Sequence, residues 1–185
     1  CERDVAVFDP SPKRLEVRLA FLAGQGRDRL VILGREPTLS PRFFHAVRVA
    51  RSLGFRSVDV LTNGRLFAYP AVVRKAVDAG LDSVRVKVFA GDEPGWTSRT
   101  RVPEAFHEAM AGFANLLAVG DRLRVQAVPI VTPGSVSDLE PMVRKVTDLG
   151  VGRWTCRVPL SSLPLGPLSP FLDEFEDRLG RLTAR

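Results

Sequence analysis

The feature that most constrains the fold is the regular alternation of short apolar runs with longer amphipathic segments. Glycine follows four of the longer segments, at Gly54, Gly80, Gly120 and Gly150, where it favours the end of a helix. Strand, helix and strand joined by short connections imply parallel strands with right-handed crossovers. The sequence therefore predicts an α/β fold.

The alternation predicts five strands and six helices. The strands are expected at residues 30–33, 57–61, 83–89, 122–131 and 153–158. The helices are expected at residues 12–26, 41–53, 70–79, 103–119, 137–149 and 171–182. Residues 90–102 are predicted to form a polar loop, and long loops in compact domains are usually functional. A Pro-rich connector, residues 159–170, leads to the last helix.

The distribution of charge over the predicted strands separates an open sheet from a barrel. In the third strand Val84, Val86 and Val88 share one face, while Arg85 and Lys87 lie on the other. Three further strands divide in the same way, and their charged face carries Asp59, Arg124 and Arg157. A parallel sheet with helices on both faces should be apolar on both. The pattern favours a barrel or half-barrel whose helices lie outside and whose lumen is wet or ligand-filled.

The predicted lumen has a surplus of positive charge. Charged groups inside a protein must be paired or bound to something. Asp59 is the expected partner of Arg85 or Lys87, but the cations outnumber it. An anionic ligand group would balance the rest. The alternatives are that these side chains extend to water at the strand ends, or that the register of one strand is shifted by one residue.

The composition is that of one globular domain of 185 residues, 45% apolar and 26% charged. No apolar run approaches the roughly 20 residues of a membrane helix. We therefore expect a cytoplasmic location and no membrane partner. The net charge is +6, but the arginines are scattered and few aromatic residues lie among them. This pattern indicates a solvated basic surface and disfavours nucleic-acid binding.

The chain has two cysteines, Cys1 and Cys156, which lie far apart in the sequence. They form no disulfide framework and suit a reducing compartment. Cys156 shares the apolar face of its predicted strand with Trp154 and Val158, so we expect a core thiol. The chain begins at Cys1 without an initiator methionine, and we expect it to be a fragment of a longer chain.

Motifs follow three successive predicted strands at their carboxyl ends, the edge where α/β folds bind ligands. Gly-Arg-Glu-Pro-Thr, residues 34–38, follows the first strand, and Thr-Asn-Gly, residues 62–64, follows the second. The third strand ends in residues 86–91, Val-Lys-Val-Phe-Ala-Gly. Arg99 or Arg101 then precedes the segment Pro-Glu-Ala-Phe at residues 103–106.

In this order the motifs resemble those of the radical S-adenosylmethionine (radical SAM) superfamily, over roughly residues 1–158. Residues 34–37 resemble the family's Gly-Gly-Glu-Pro segment, with Arg35 in place of the second glycine. Residues 62–64 match its frequent Thr-Asn-Gly. Residues 86–91 resemble its Ser-Leu-His-Gly strand end, with Lys87 where a serine is common. Cys1 stands where the last cysteine of the family's CxxxCxxC loop would stand.

The resemblance implies a partial (β/α)6 TIM-like barrel that lacks its first strand, with parallel strands and outer helices. It implies an enzyme that binds S-adenosylmethionine and a [4Fe–4S] cluster. The cluster would reduce the sulfonium and release a 5′-deoxyadenosyl radical, which abstracts hydrogen from a substrate. The expected partners are an electron donor and a small-molecule or peptide substrate, for which the positive lumen suggests an anion.

Carried over by the resemblance, the turn Gly34, Arg35, Glu36 and Pro37 would bind the methionine amino group, with Glu36 as a polar partner. Thr62 and Asn63 would face the nucleotide. Lys87 or Arg124 would pair with the methionine carboxylate. The predicted loop with Trp96, Arg99 and Arg101 would cover the site.

The cluster is where the chain departs from the family pattern. A site-differentiated [4Fe–4S] cluster needs three thiolates, and Cys1 supplies one. Two further cysteines are therefore expected upstream of Cys1. The alternative is a cluster-less barrel domain that binds an anionic or nucleotide ligand, or a protein partner, without catalysis.

Overall fold

A computed structural model of the chain describes residues 11–159, 162–163 and 169–183. Among these residues, four parallel strands form one sheet in the order β1-β2-β3-β4. The strands are β1 (Arg29–Ile32), β2 (Ser57–Thr62), β3 (Ser83–Val88) and β4 (Arg124–Pro129). Neighbours in the sheet are neighbours in sequence, as repeated strand–helix units require. The predicted α/β fold with parallel strands is confirmed.

Among the described residues, seven α-helices precede, connect and follow the strands. They are α1 (Pro12–Gly24), α2 (Phe43–Ser52), α3 (Pro70–Ala79), α4 (Glu93–Thr100), α5 (Ala105–Leu117), α6 (Leu139–Asp148) and α7 (Ser169–Thr183). The prediction for α3 has the observed bounds, because Pro70 suits a first turn and Gly80, at a φ of +92°, caps the end. No helix among the described residues is long and apolar enough to cross a membrane.

The predicted fifth strand, residues 153–158, lies beside β4 but is interrupted. Two isolated parallel bridges join it to β4, from Trp154 to Ala127 and from Arg157 to Ile130. The backbone N–H of Arg157 donates to the Pro129 carbonyl at 2.9 Å. Pro129 has no N–H of its own to donate in return, and this breaks the regular ladder.

The prediction of a polar loop over residues 90–102 was wrong for most of its length, because the loop contains α4. Asp92 caps this helix by accepting a hydrogen bond from the Gly95 N–H at 2.9 Å, and a proline follows within its first turn. Trp96 is 1% exposed, between the rings of Phe89 and Phe106 at 5.5 and 5.7 Å. Trp96 therefore belongs to the core and does not cover a site.

The core lies between the sheet and its helices. Val84, Val86 and Val88 of β3 are fully buried in it, while Arg85 and Lys87 lie half-buried on the opposite face. Helices α2 and α5 supply most of the facing apolar side chains: Val47, Ala50, Phe113 and Leu116. The predicted division into a helix-covered face and a charged face is confirmed for β3. We call the charged face the lumen.

Candidate functional site

The turn after β1 is attached to the end of β2 through the carboxylate of Glu36. Its Oε1 accepts hydrogen bonds from the hydroxyls of Thr38 and Thr62, each at 2.6 Å. Its Oε2 accepts from the backbone N–H of Asn63 at 2.7 Å. Bonds to a carboxylate are charge-assisted and stronger than those between neutral groups. Glu36 therefore fixes residues 34–38 and 62–64 relative to each other, and we call these two segments and Lys87 the rim.

The turn after β2 is held in a shape that only glycine completes. Thr62 is fully buried, and its hydroxyl also accepts from the Gly64 N–H at 3.1 Å. Asn63 accepts from the Arg65 N–H at 3.0 Å, as asparagine does in a turn. Gly64 has a φ of +81°, and a Cβ on it would lie 2.6 Å from a methyl carbon of Val86. The Thr-Asn-Gly sequence is thus required for the fit of this turn against β3.

The third strand contributes Lys87 to the rim. Its Nζ donates to the backbone carbonyl of Arg35 at 3.1 Å, which places a positive charge beside the turn after β1. At the start of that turn, Gly34 has a φ of +155°, and no atom of the described residues lies within 4 Å of the position of a Cβ. The backbone of Gly34 is therefore open to the close approach of a ligand.

Below the rim, the lumen contains the predicted pairing of Asp59 with Arg85. Asp59 is 4% exposed and accepts from Arg85 Nη2 at 2.8 Å and from the Ser57 hydroxyl at 3.0 Å. Arg124 Nη2 lies 4.0 Å from the same carboxylate. The Nε of Arg85 is buried and has no hydrogen-bond partner among the described residues. The alternative partner, Lys87, bonds to the rim instead.

The structure places Arg124 far from the rim. Arg124 pairs in register with Ser83, at the amino end of β3, whereas Lys87 pairs with Val128. Four residues of strand separate the two levels by about 13 Å. The structure thus brings Gly34–Pro37, Thr62, Asn63 and Lys87 together, and leaves Arg124 beside Asp59.

The two arginines expected to cover the site differ in their contacts. Arg99 of α4 donates to the Phe89 carbonyl and pairs with Asp138, so it fastens α4 to the end of β3. Arg101 is exposed at the end of α4, with a φ of +59°.

The described residues do not supply a metal site. They contain no group of three His, Cys, Asp or Glu side chains placed to hold a metal ion. Cys1 lies outside the described residues. Cys156 is half-buried among apolar side chains that include Trp154 and Val158, as predicted, and burial raises the pKa of its thiol to about 11. A thiol held protonated in this way is a poor metal ligand, because metals bind the thiolate.

Two features of the site were not found from the sequence. The first is the role of Glu36, since the sequence suggested a polar partner for a ligand and the structure shows a carboxylate occupied by Thr38, Thr62 and Asn63. A threonine two residues after a glutamate was the available signal. The second is the unpartnered Nε of Arg85, which depends on side-chain packing and has no signal in the sequence.

Comparison with known proteins shows which fold this is. No protein-family model matches the chain. GTP 3′,8-cyclase from Chlorobaculum tepidum is 34% identical over 101 residues, which are 54% of this chain and 30% of that protein. The chain thus spans less than a third of that relative's length.

Solved structures match more of the chain. SuiB from Streptococcus suis, bound to S-adenosylmethionine, superposes with a TM-score of 0.76 at 15% identity, over 99% of this chain and 43% of its own. The protein anSMEcpe with bound AdoMet gives a TM-score of 0.63 at 13% identity, over 79% of this chain and 42% of its own. Archaeal TYW1 gives 0.61 at 17% identity, over 96% of this chain and 65% of its own.

SuiB, anSMEcpe and TYW1 are radical SAM enzymes. The resemblance drawn from the motifs is confirmed at the level of the fold: the parallel sheet and its flanking helices match the partial TIM barrels of radical SAM enzymes.

Proposed function

We propose that this chain, which has the fold of a radical SAM domain, is the S-adenosylmethionine-binding part of a radical SAM enzyme. The observation that carries the proposal is the rim. Glu36 connects the turn after β1 to the turn after β2, and Lys87 of β3 reaches the first of these turns. Three successive strand ends therefore present one fixed surface, at the edge where barrels of this kind bind ligands.

Each part of the rim suits one part of the ligand. The open backbone at Gly34 suits the methionine amino group, and Lys87 suits its carboxylate as a charge-assisted partner. Asn63, which is partly exposed, is the residue we assign to the nucleoside. Thr62 was expected to face the nucleotide as well, but it is fully buried with its hydroxyl bonded to Glu36 and Gly64, so we assign it to positioning the turn. Glu36 has its carboxylate filled by protein donors, so we assign it to positioning the two turns. When bound and reduced, S-adenosylmethionine supplies hydrogen-abstracting chemistry, and the protein supplies orientation and exclusion of water.

A working enzyme also needs the cluster ligands. We propose that Cys1 is the last cysteine of a CxxxCxxC loop, whose other cysteines are the first and fifth of the seven residues before it. The parent reading frame tests this directly. Cysteines at those two positions would support the enzyme. Other residues there would favour a cluster-less domain that binds an anion, a nucleotide or a protein.

The proposed partners follow from the same function. Reductive chemistry requires an electron donor, which we propose as a partner. We also propose a cytoplasmic location. The fold of anSMEcpe has been solved with AdoMet and the Kp18Cys peptide together. We accordingly propose a small-molecule or peptide substrate for this chain.

A titration of the chain with S-adenosylmethionine tests the rim. We expect saturable binding, weakened about tenfold in Lys87→Met, because that variant loses one charge-assisted contact to the carboxylate. Lys75→Met is the matched control, since Lys75 lies on α3 with its Nζ 4.7 Å from the ring centroid of Phe44. Isothermal titration calorimetry measures all three proteins.

The proposal fails if the unmodified chain shows no saturable binding, or if Lys87→Met and Lys75→Met bind alike. For the parent protein after anaerobic cluster reconstitution, release of 5′-deoxyadenosine under reducing conditions is the expected result. A cluster-loaded protein that releases none would contradict the catalytic part of the proposal.

A further inference from the structure

We infer that the lumen contains an anion subsite, centred on Arg85 and completed by Arg124, that holds a carboxylate or phosphate group of the substrate. The inference rests on the proposed function, because it assigns the space below the rim to the substrate. Its evidence is separate from the rim, since it comes from the contacts of Asp59, Arg85 and Arg124.

The hydrogen bonds of Arg85 are incomplete. A guanidinium carries five N–H donors, and Arg85 gives one bond, from Nη2, to Asp59. Its Nε is buried and has no hydrogen-bond partner among the described residues. A buried donor without a partner is costly and indicates a water, an ion or a ligand atom. The side chain of Arg85 as a whole is 36% exposed, so a ligand can reach its exposed part from the lumen, while Nε itself is covered by protein atoms.

The charges of this cluster also do not balance. Two guanidinium groups face one carboxylate, that of Asp59, which already has two hydrogen bonds. The cluster of Arg85, Arg124 and Asp59 therefore keeps a net charge of +1. Ser83 lies in register between Asp59 and Arg124, and its small side chain leaves room for Arg124 to lean toward the carboxylate. An added anion would face two cations, with Asp59 holding one of them in place.

The position of the cluster suits the far end of a substrate. Arg85 is two residues before Lys87 on the same face of β3, so it lies about 7 Å below the level of the rim. A small anionic molecule fixed at Arg85 would extend toward the ligand proposed at Gly34. Carboxylate and phosphate oxygens both match the planar guanidinium fork, and this defines the expected chemical class.

The Nε–Hε signal of Arg85 in a ¹⁵N NMR spectrum tests the subsite without cofactor or cluster. The chain is titrated with inorganic phosphate and, separately, with acetate, at ionic strength held constant with sodium chloride. We expect a saturable downfield shift of the Arg85 signal, which Arg85→Lys identifies by abolishing it. Asp59→Asn should tighten phosphate binding by roughly threefold to tenfold, because it removes the competing negative charge.

Arg51 is the matched control arginine. It also pairs with an aspartate, Asp82, but its Nε already donates to the Gly80 carbonyl at 2.7 Å. We therefore expect its signal to stay in place. A shift with phosphate alone supports a phosphate-bearing substrate, and a shift with acetate supports a carboxylate.

No saturable shift of Arg85 up to about 50 mM of either anion, or an equal shift of Arg51, would overturn the subsite. Binding of S-adenosylmethionine is measured in a separate titration. A failure of the subsite is therefore distinguishable from a failure of the proposed function.

Discussion

Two of the aspartate–arginine pairs among the described residues, one in the lumen and one at the end of α2, are completed in different ways. Arg51 of α2 pairs with Asp82, and its remaining donors reach the carbonyls of Gly80 and Phe55 at 2.7 and 3.0 Å. The second oxygen of Asp82 accepts from the backbone N–H of Val58 at 2.7 Å. This pair fastens α2 to the amino ends of β2 and β3.

The lumen pair has the same two residue types and a different balance. Arg85 gives Asp59 a single hydrogen bond, its Nε is left without a partner among the described residues, and a second guanidinium stands nearby. A structural pair satisfies its own donors, whereas a buried donor without a partner calls for a water, an ion or a ligand atom, and this difference supports the subsite that we infer at Arg85. Whether all donors of the arginine have partners, more than charge or burial, therefore distinguishes a pair that stabilises the fold from a pair proposed to bind a ligand.

The largest expected effect comes from removing each pair whole. Arg51→Met with Asp82→Asn should lower the free energy of unfolding by about 3 kcal/mol, because several backbone bonds disappear together. Asp59→Asn with Arg85→Met should stay within about 1 kcal/mol of the unmodified chain, since it also removes the unpartnered donor. Urea denaturation measures both. Equal losses of unfolding free energy in the two double variants would contradict the difference in role between the two pairs.

Two valines on neighbouring strands allow the helix-covered face and the lumen face of the sheet to be compared by packing alone. Val60 of β2 is fully buried against the helices, and Val31 of β1 is 39% exposed beside Asp59 in the register. Val60→Ala should cost about 2 kcal/mol and Val31→Ala less than about 0.5 kcal/mol, because only the first leaves a cavity. Thermal and urea unfolding report the difference. A costly Val31→Ala would show that the lumen face is packed and leaves no room for a substrate.

Glu36 is a third carboxylate to set beside Asp59 and Asp82. It lies at the edge of the lumen, and both of its oxygens accept hydrogen bonds from protein donors. Glu36→Gln places an amide N–H₂ or a neutral oxygen where strong acceptors stood, facing Thr62 and Asn63. We expect a loss of about 1 kcal/mol in unfolding free energy and weaker binding of S-adenosylmethionine. Glu16→Gln is the control, since Glu16 makes an exposed contact with His45. A Glu36→Gln chain that matched this control in both measurements would contradict the positioning role.

The smallest expected effect on stability is a pH dependence that comes from the Cys156 thiol. Cys156 lies on the apolar side of residues 153–158, the segment beside β4. Burial raises the pKa of its thiol to about 11 from the ordinary 9.0. An unfolded chain therefore loses this proton at lower pH than the folded chain does. The stabilisation is fully present below pH 9 and is lost as the pH rises to about 11. Because the residue is only half-buried, we expect less than about 1 kcal/mol.

Thiol reactivity checks that prediction without unfolding the protein. In a Cys1→Ser background, Cys156 should react with a disulfide reagent at pH 8 at least tenfold more slowly than in the urea-unfolded chain, because the thiolate is rarer. Equal rates would place Cys156 in water and contradict its packing.

Much of the fold could be predicted from periodicity, because four of the five predicted strands carry apolar residues on one face and charged residues on the other. The same alternation predicted Arg85 or Lys87 as the partner of Asp59, and the structure shows that it is Arg85. The interruption at Pro129 could not be predicted without knowing how residues 153–158 pair with β4. A proline disrupts a ladder only at a position where the backbone N–H would have donated a hydrogen bond. Helix α4 was missed because its glycine, serine, threonines and charges outweighed the capping signal of Asp92.

The candidate site was less predictable than the fold. The motifs gave the rim segments but not the bonds of Glu36, which join residues 26 and 27 positions apart in sequence. Arg124 was predicted as the alternative to Lys87 for the methionine carboxylate. The strand register puts them at different levels, and periodicity alone does not fix which end of a strand a side chain occupies.

The most direct test of the central claim is a backbone amide NMR titration of the chain with S-adenosylmethionine. We expect saturable shifts concentrated at Gly34, Arg35, Thr62 and Asn63, with the outer helices α2 and α3 unchanged. Shifts confined to residues away from the rim, or none at saturating ligand, would contradict it.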